Sequence, residues 1–195
     1  MKNLIDFYDD SALEWEKNWY DNESLLPYLK SFMKLMPDSP RVLDLACGAG
    51  YESMRLRNLG ANVVGVDLSE KSLEIARRRN KDIKFYNHDM LISYKDLGEF
   101  DGLVCIAGLV HIKESDLTKA FENMYEVVKN DGYIFIVVKD GNEIKETSEF
   151  NGEIYARTFF HYTLDKLKER AKGLFTFSKE LESQDKWRYY IFKKI

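Results

Sequence analysis

Cysteine and proline are scarce in this chain of 195 residues, with only two and three of each. Cys47 and Cys105 both stand in apolar, strand-like stretches. Two thiols make no disulfide framework, and they lack the spacing of a metal site. They read as buried, reduced thiols, which points to a reducing compartment and a cytoplasmic protein. No apolar run approaches the ~20 residues of a membrane span. The opening stretch, Met1-Lys2-Asn3-Leu4-Ile5-Asp6, has no signal-peptide core. Positive charge is not in excess either: 29 basic residues face 33 acidic ones, for a net charge of −4. Binding to nucleic-acid phosphates relies on Lys and Arg, so a nucleic-acid substrate is disfavoured. Arg77-Arg78-Arg79 and Lys193-Lys194 read as solvated surface. Repeats, low-complexity stretches and linkers are missing, and nothing in the pattern specifies an oligomer. The length fits one domain, residues 1–195, with room for a large core.

The most informative stretch is Val42-Leu43-Asp44-Leu45-Ala46-Cys47-Gly48-Ala49-Gly50-Tyr51-Glu52. An apolar run ends at Asp44 and Leu45, a turn built on Gly48 and Gly50 follows, and a helix runs on to about Leu59. Gly48 and Gly50 let the backbone approach a ligand that a Cβ would block, and the helix start offers unpaired N–H groups. The dinucleotide fingerprint Gly-x-Gly-x-x-Gly would need a third glycine, and Ser53 stands there. Asp44 would also repel a pyrophosphate, whereas it suits a ligand carrying an amino group and a sulfonium. A second strand, Asn62-Val63-Val64-Gly65-Val66, ends in Asp67, which can accept hydrogen bonds from both hydroxyls of a ribose.

Asp44, the two glycines and Asp67 at this spacing resemble the class I S-adenosylmethionine-dependent methyltransferases. That family's first motif reads acidic-x-Gly-x-Gly-x-Gly, and Ala46 replaces its first glycine here. The resemblance implies an α/β fold: a doubly wound, mostly parallel, seven-stranded sheet of the Rossmann-like methyltransferase type. It implies S-adenosylmethionine as cofactor, held by Asp44, Ala46, Gly48 and Gly50 at the turn and by Asp67 and Leu68 after the second strand. By the same resemblance Asp89 would accept the adenine amino group, Met90 would pack on the base, and Ile106 would line the methionine part. The family's N-terminal tyrosine-containing segment, folded over the methionine, would here present Tyr8 and Trp15. The alternative for both is plain packing of a helix on the sheet.

Taken in order, the chain opens with helices over about Ser11–Tyr20 and Ser24–Met36, so residues 1–40 form a helical cap. Ser69 caps a helix to about Asn80. A third strand covers Ile83–Tyr86, and His88 reads as a loop residue. A fourth, Phe100–Gly108, runs on into Leu109-Val110-His111. A helix from Ser115 to Asp131-Gly132 precedes a fifth strand, Tyr133–Val138. Residues 143–160 then read as an inserted β-hairpin about Asn151-Gly152, the favoured two-residue turn. On its second strand Tyr155, Arg157 and Phe159 share a face, which suits gripping an acceptor; a solvent-edge hairpin is the alternative. His161 reads as a structural residue before a helix from Thr163 to Lys172, and two strands, about Leu174–Glu180 and Lys186–Lys193, close the chain.

The expected function is in-line methyl transfer to a small-molecule acceptor. His111 is the candidate general base, with a structural histidine at a strand end as the alternative. No metal is implied. A nicotinamide-dependent oxidoreductase and a non-catalytic S-adenosylmethionine-binding protein are the rival readings.

Overall fold

The computed structural model describes residues 1–141, 144–183 and 186–195. Seven strands form the main sheet: β1 Arg41–Leu45, β2 Asn62–Asp67, β3 Lys84–Asn87, β4 Phe100–Ile106, β5 Val128–Lys139, β10 Phe175–Leu181 and β11 Trp187–Lys194. Four short strands between β5 and β10 lie outside it: β6 Ile144–Lys145, β7 Ser148–Phe150, β8 Glu153–Tyr155 and β9 Phe159–Phe160. The order across the sheet is β3-β2-β1-β4-β5-β11-β10. β1, β2, β3, β4 and β5 run parallel, while β11 is antiparallel to both β5 and β10. This is the doubly wound, mostly parallel sheet expected from the sequence. Strand order reverses between β1 and β4, so the crevice at their carboxyl ends is the place where such sheets bind ligands.

Side-chain alternation along the strands divides the core between the two faces. Leu43, Leu45, Leu103, Cys105, Ile134 and Ile136 pack on one side with Phe121 and Met124 of α5 (Leu117–Val127) and Leu167 of α6 (Leu164–Arg170). Val42, Val63, Val104 and Phe135 pack on the other, under Phe32 of α2 (Leu26–Met33), Leu56 of α3 (Tyr51–Asn58) and Leu73 of α4 (Glu70–Arg79). Because both faces are covered, the strands read as continuous apolar runs.

Several boundaries differ from the sequence expectation. The first helix, α1, runs from Leu4 to Trp19 and so starts well before Ser11. Its N-cap is Asn3, whose side chain accepts from the N–H groups of Ile5 and Asp6, and the Asp6 carboxylate accepts from Asn3 N–H. An Asn/Asp pair thus serves as the capping box normally written with Ser/Thr and Glu/Gln. α2 spans Leu26–Met33 rather than 24–36, with Pro27 in its first turn. Asp131-Gly132 does not end a helix. α5 stops at Val127, and Asp131, at φ 62°, sits in a bulge where β5 shifts register against β4.

The insertion folds back as expected about Asn151 and Gly152, at φ 49° and 79°, the paired left-handed residues of a type I′ turn. It is two short ladders, β7 with β8 and β6 with β9, rather than one. Its expected first residue, Glu143, lies outside the described residues. Arg157 falls between β8 and β9, where its N–H donates to the Tyr155 carbonyl at 2.9 Å. Tyr155, Arg157 and Phe159 therefore do not share one strand face.

Ala46 stands at φ 63°, where glycine is favoured. A left-handed alanine costs about 1–2 kcal/mol, against 0.4–1 kcal/mol from its stiffer unfolded chain, taken as about half the cost. Ala46→Gly is therefore expected to stabilise the protein by about 0.5–1 kcal/mol, read from the urea midpoint at unchanged m-value.

Candidate nucleotide site and its cap

The turn after β1 is shaped by close approach. Gly50 has φ 79°, and a Cβ there would meet Phe85 and Ala76 at 3.0 Å. Gly48, at φ 51°, turns its N–H onto Asp67 Oδ2 at 2.8 Å. The other oxygen of Asp67 accepts from Ser69 N–H at 2.8 Å, so one carboxylate ties the glycine turn to the start of α4. Burial raises the Asp67 pKa, opposed by the bonds from Ser69, Gly48 and Leu68 N–H. Asp44, at the end of β1, is buried and accepts from Ser53 Oγ at 2.5 Å. Burial pushes it up to about 7, against that bond, with the charges of Glu52 and Asp67 adding to the rise.

A cavity of about 520 Å³ opens over this turn. Asp44, Ala46, Gly48, Asp67 and Leu68 line it, as do Asp89, Met90 and Ile106. Asp89 Oδ1 accepts from Leu91 N–H at 2.8 Å. Gly50 is set back behind the turn and is not among the lining residues. His88, expected as an exposed loop residue, is half-buried and borders the cavity, its Nδ1 on the Asp89 carbonyl at 2.9 Å.

Helix α1 forms a roof. Asp9 accepts from Ser69 Oγ at 2.6 Å, and Glu16 accepts from Arg78 and Arg79 at 2.7 and 2.6 Å. Two of the three consecutive arginines, expected as plain solvated surface, therefore fasten α1 to α4. Tyr8 and Trp15 both line the cavity from above, and Trp15, Trp19 and Tyr51 stack in sequence at centroid distances of 6.1 and 6.2 Å.

Three candidate residues from distant parts of the chain meet at one end. The Tyr8 hydroxyl lies 2.7 Å from His111 Nε2 and accepts from Arg157 Nη2 at 2.9 Å. His111 Nδ1 faces the Thr158 carbonyl at 2.8 Å. A carbonyl only accepts, so Nδ1 carries the proton, and Nε2 accepts from the Tyr8 hydroxyl. Burial lowers the His111 pKa to about 4, beyond what the Thr158 bond restores. Arg157 is stacked among the rings of Phe7, Tyr8 and Phe159 at 4.2, 5.1 and 4.5 Å. Tyr155 does not border the cavity: its hydroxyl donates to Asp10 at 2.8 Å and its ring meets Phe7 edge-on. It fixes the hairpin to α1 and has no free approach to an acceptor. Glu52 and Trp19 line the cavity although neither stood out in the sequence. An acidic residue in a helix's first turn is too ordinary to signal a site.

Residues 42–132 match the family described as methyltransferase domain. Over that stretch the chain is similar to the class I methyltransferases. Among its relatives, YqeM of Bacillus subtilis is 34% identical over 116 residues, 57% of this chain and 47% of that protein. The ubiquinone biosynthesis O-methyltransferase of Chromobacterium violaceum is 28% identical over 159 residues, 73% of this chain and 66% of that protein. The chain spans about half the length of the first curated relatives it matches. In fold it is similar to a TehB-like SAM-dependent methyltransferase from Corynebacterium glutamicum, with a TM-score of 0.76 at 16% identity over 97% of this chain and 99% of that one.

The family's cofactor is S-adenosylmethionine, and the site fits it. Gly48 borders the cavity without a Cβ, and Asp67 lines it as an acceptor for hydroxyl donors. The acids Asp44 and Asp67 suit a ligand with positive charge rather than a pyrophosphate. Among the described residues, no group of three His, Cys, Asp or Glu side chains could hold a metal ion, and no helix is long and apolar enough to cross a membrane.

Proposed function

We propose that residues 1–195 work as one catalytic unit, an S-adenosylmethionine-dependent methyltransferase acting on a small-molecule acceptor. The observation that carries this reading is the single cavity that runs from the Asp67-tied glycine turn to the Tyr8–His111 pair under α1. S-adenosylmethionine supplies an electrophilic methyl group on a sulfonium. Asp67 takes the ribose hydroxyls, Asp89 the adenine amino group, and Met90 and Leu68 pack on the base. Asp44 sits toward the amino-acid end, and Ile106 lines the methionine part. Helix α1 and the hairpin shut out water and hold donor and acceptor in line. The roofed cavity, the net charge of −4 and the O-methylating relative support a small acceptor over a polymer. Two buried, unpaired thiols support a cytoplasmic setting.

His111 does not meet the acceptor alone on this reading. Its free lone pair already holds the Tyr8 proton, so the acceptor's proton passes to the Tyr8 oxygen while Tyr8's own moves to His111 Nε2. Arg157 positions Tyr8 by its bond to the hydroxyl. With its pKa near 4, His111 is a weak base at neutral pH, and its share of the rate falls below the 10²–10⁴-fold of a well-matched base, at about tenfold.

The test has two stages. Calorimetric titration compares S-adenosylmethionine with NAD, and saturable binding of NAD alone would defeat the proposal. An acceptor panel scored by S-adenosylhomocysteine release follows. Tyr8→Phe and His111→Ala are each expected to lower kcat about tenfold while donor affinity stays within about twofold, and the double variant should lose no more than either single one. Additive losses would separate the two residues.

A further inference from the structure

Glu52 is the second residue of α3, and its side chain is only 4% exposed. One oxygen, Oε1, accepts from Arg55 Nη1 at 3.1 Å. The other, Oε2, has no hydrogen-bond partner. A buried carboxylate oxygen without a donor is costly, and each such group asks for a reason. Arg55 does not supply the missing donor, since its Nη2 is held by the carbonyls of Trp19 and Tyr20 at 2.7 and 3.0 Å. Glu52 and the buried Asp44 line the same cavity, and the stacked rings of Trp19 and Tyr51 border it beside them. Two acids, one with an open oxygen, next to aromatic faces ask for a cation with several N–H donors.

We infer that Glu52 and Asp44 together seat a primary ammonium, the α-ammonium of the donor's amino-acid end, with Glu52 supplying the second carboxylate. This rests on the donor reading above and adds to it a residue and a proton. Burial pushes Glu52 up to about 7, against its pairing with Arg55, and Asp44 likewise to about 7. The other groups facing the pair are Asp67 from β2, whose charge opposes ionisation, and Cys47 and Tyr51, both kept neutral by burial. The empty pair therefore holds a proton near pH 7. When the ammonium docks, the carboxyl O–H proton leaves for solvent and a carboxylate–ammonium pair remains, so affinity rises with pH across the neutral range.

The experiment is calorimetry on the full chain with two ligands that share the adenosyl thioether. S-adenosylhomocysteine carries the ammonium, and 5′-methylthioadenosine lacks the whole amino-acid end. In wild-type protein near pH 6.5, run in buffers of low and high ionisation heat, the first should release a large fraction of a proton and the second none. Glu52→Gln should weaken S-adenosylhomocysteine about tenfold or more, change 5′-methylthioadenosine less than about twofold, and reduce the proton release. An unchanged affinity ratio between the ligands in folded Glu52→Gln would overturn the inference. So would wild-type binding of S-adenosylhomocysteine without proton release, a measurement that needs no variant. Binding of neither ligand would overturn the donor reading itself, and this inference with it.

Discussion

Asp67→Ala is expected to weaken S-adenosylhomocysteine binding by about a hundredfold or more, with the fold intact. A carboxylate has about four lone-pair sites. Backbone N–H groups of Gly48 and Ser69, both at 2.8 Å, and of Leu68 take up part of these in the free protein. Asp67 borders the cavity, where a ribose would present two donors. Hydrogen bonds to a charged group are worth about 1.5–3 kcal/mol each, and two of them at the lower figure give the stated factor. The substitution also releases the Gly48 N–H and so loosens the turn on which the nucleotide would rest. Asp67→Asn should restore little, because its NH₂ would face a backbone N–H on one side. Calorimetry gives the affinities and circular dichroism checks the fold. A folded Asp67→Ala protein with wild-type affinity would mean that the end of β2 does not meet the ribose.

The β1–turn–α3 unit was legible in the sequence because its constraints are local. Gly48 and Gly50 adopt φ 51° and 79°, which other residues resist, and the acids stand at strand ends a fixed distance apart. The parallel strands were legible too, since a strand covered on both faces must be apolar throughout. The start of α1 was not, because Asn3 and Asp6 make an unusual capping box. Nor was the bulge in β5, where Asp131-Gly132 carries the same local signal as a helix stop. Tyr8, His111 and Arg157 could each be singled out, but their union spans 149 residues between Tyr8 and Arg157. No periodicity reports a contact of that separation. Glu52 was hidden for another reason: the same residue in the same helical turn is ordinary when exposed, and only the tertiary packing around α3 buries it.

That burial has a consequence for the unliganded protein, which should be less stable at pH 8 than its carboxylate content suggests. Asp44 and Glu52 have ordinary values of 3.8 and 4.5, and both rise to about 7 in the fold. The folded chain therefore binds more protons than the unfolded chain between about pH 4 and 7. The stabilising contribution is complete below the ordinary values and is lost as pH rises through 7. From pH 5.5 to 8 each acid gives up about 2 kcal/mol, at 1.36 kcal/mol per pH unit over the part of the range below 7. His111 works in the opposite sense. Its value drops from 6.5 to about 4, so its contribution is complete above 6.5 and is lost as pH falls toward 4. Over the same interval it returns about 1 kcal/mol on raising the pH, and the two acids outweigh it. Urea unfolding at pH 5.5 and pH 8 measures the balance. Glu52→Gln is expected to shift the difference between the two pH values by about 2 kcal/mol in favour of pH 8, and His111→Ala should shift it the other way. If Glu52→Gln left that difference unchanged, Glu52 would already be ionised in the fold at pH 5.5, and Arg55 alone would suffice to hold its charge.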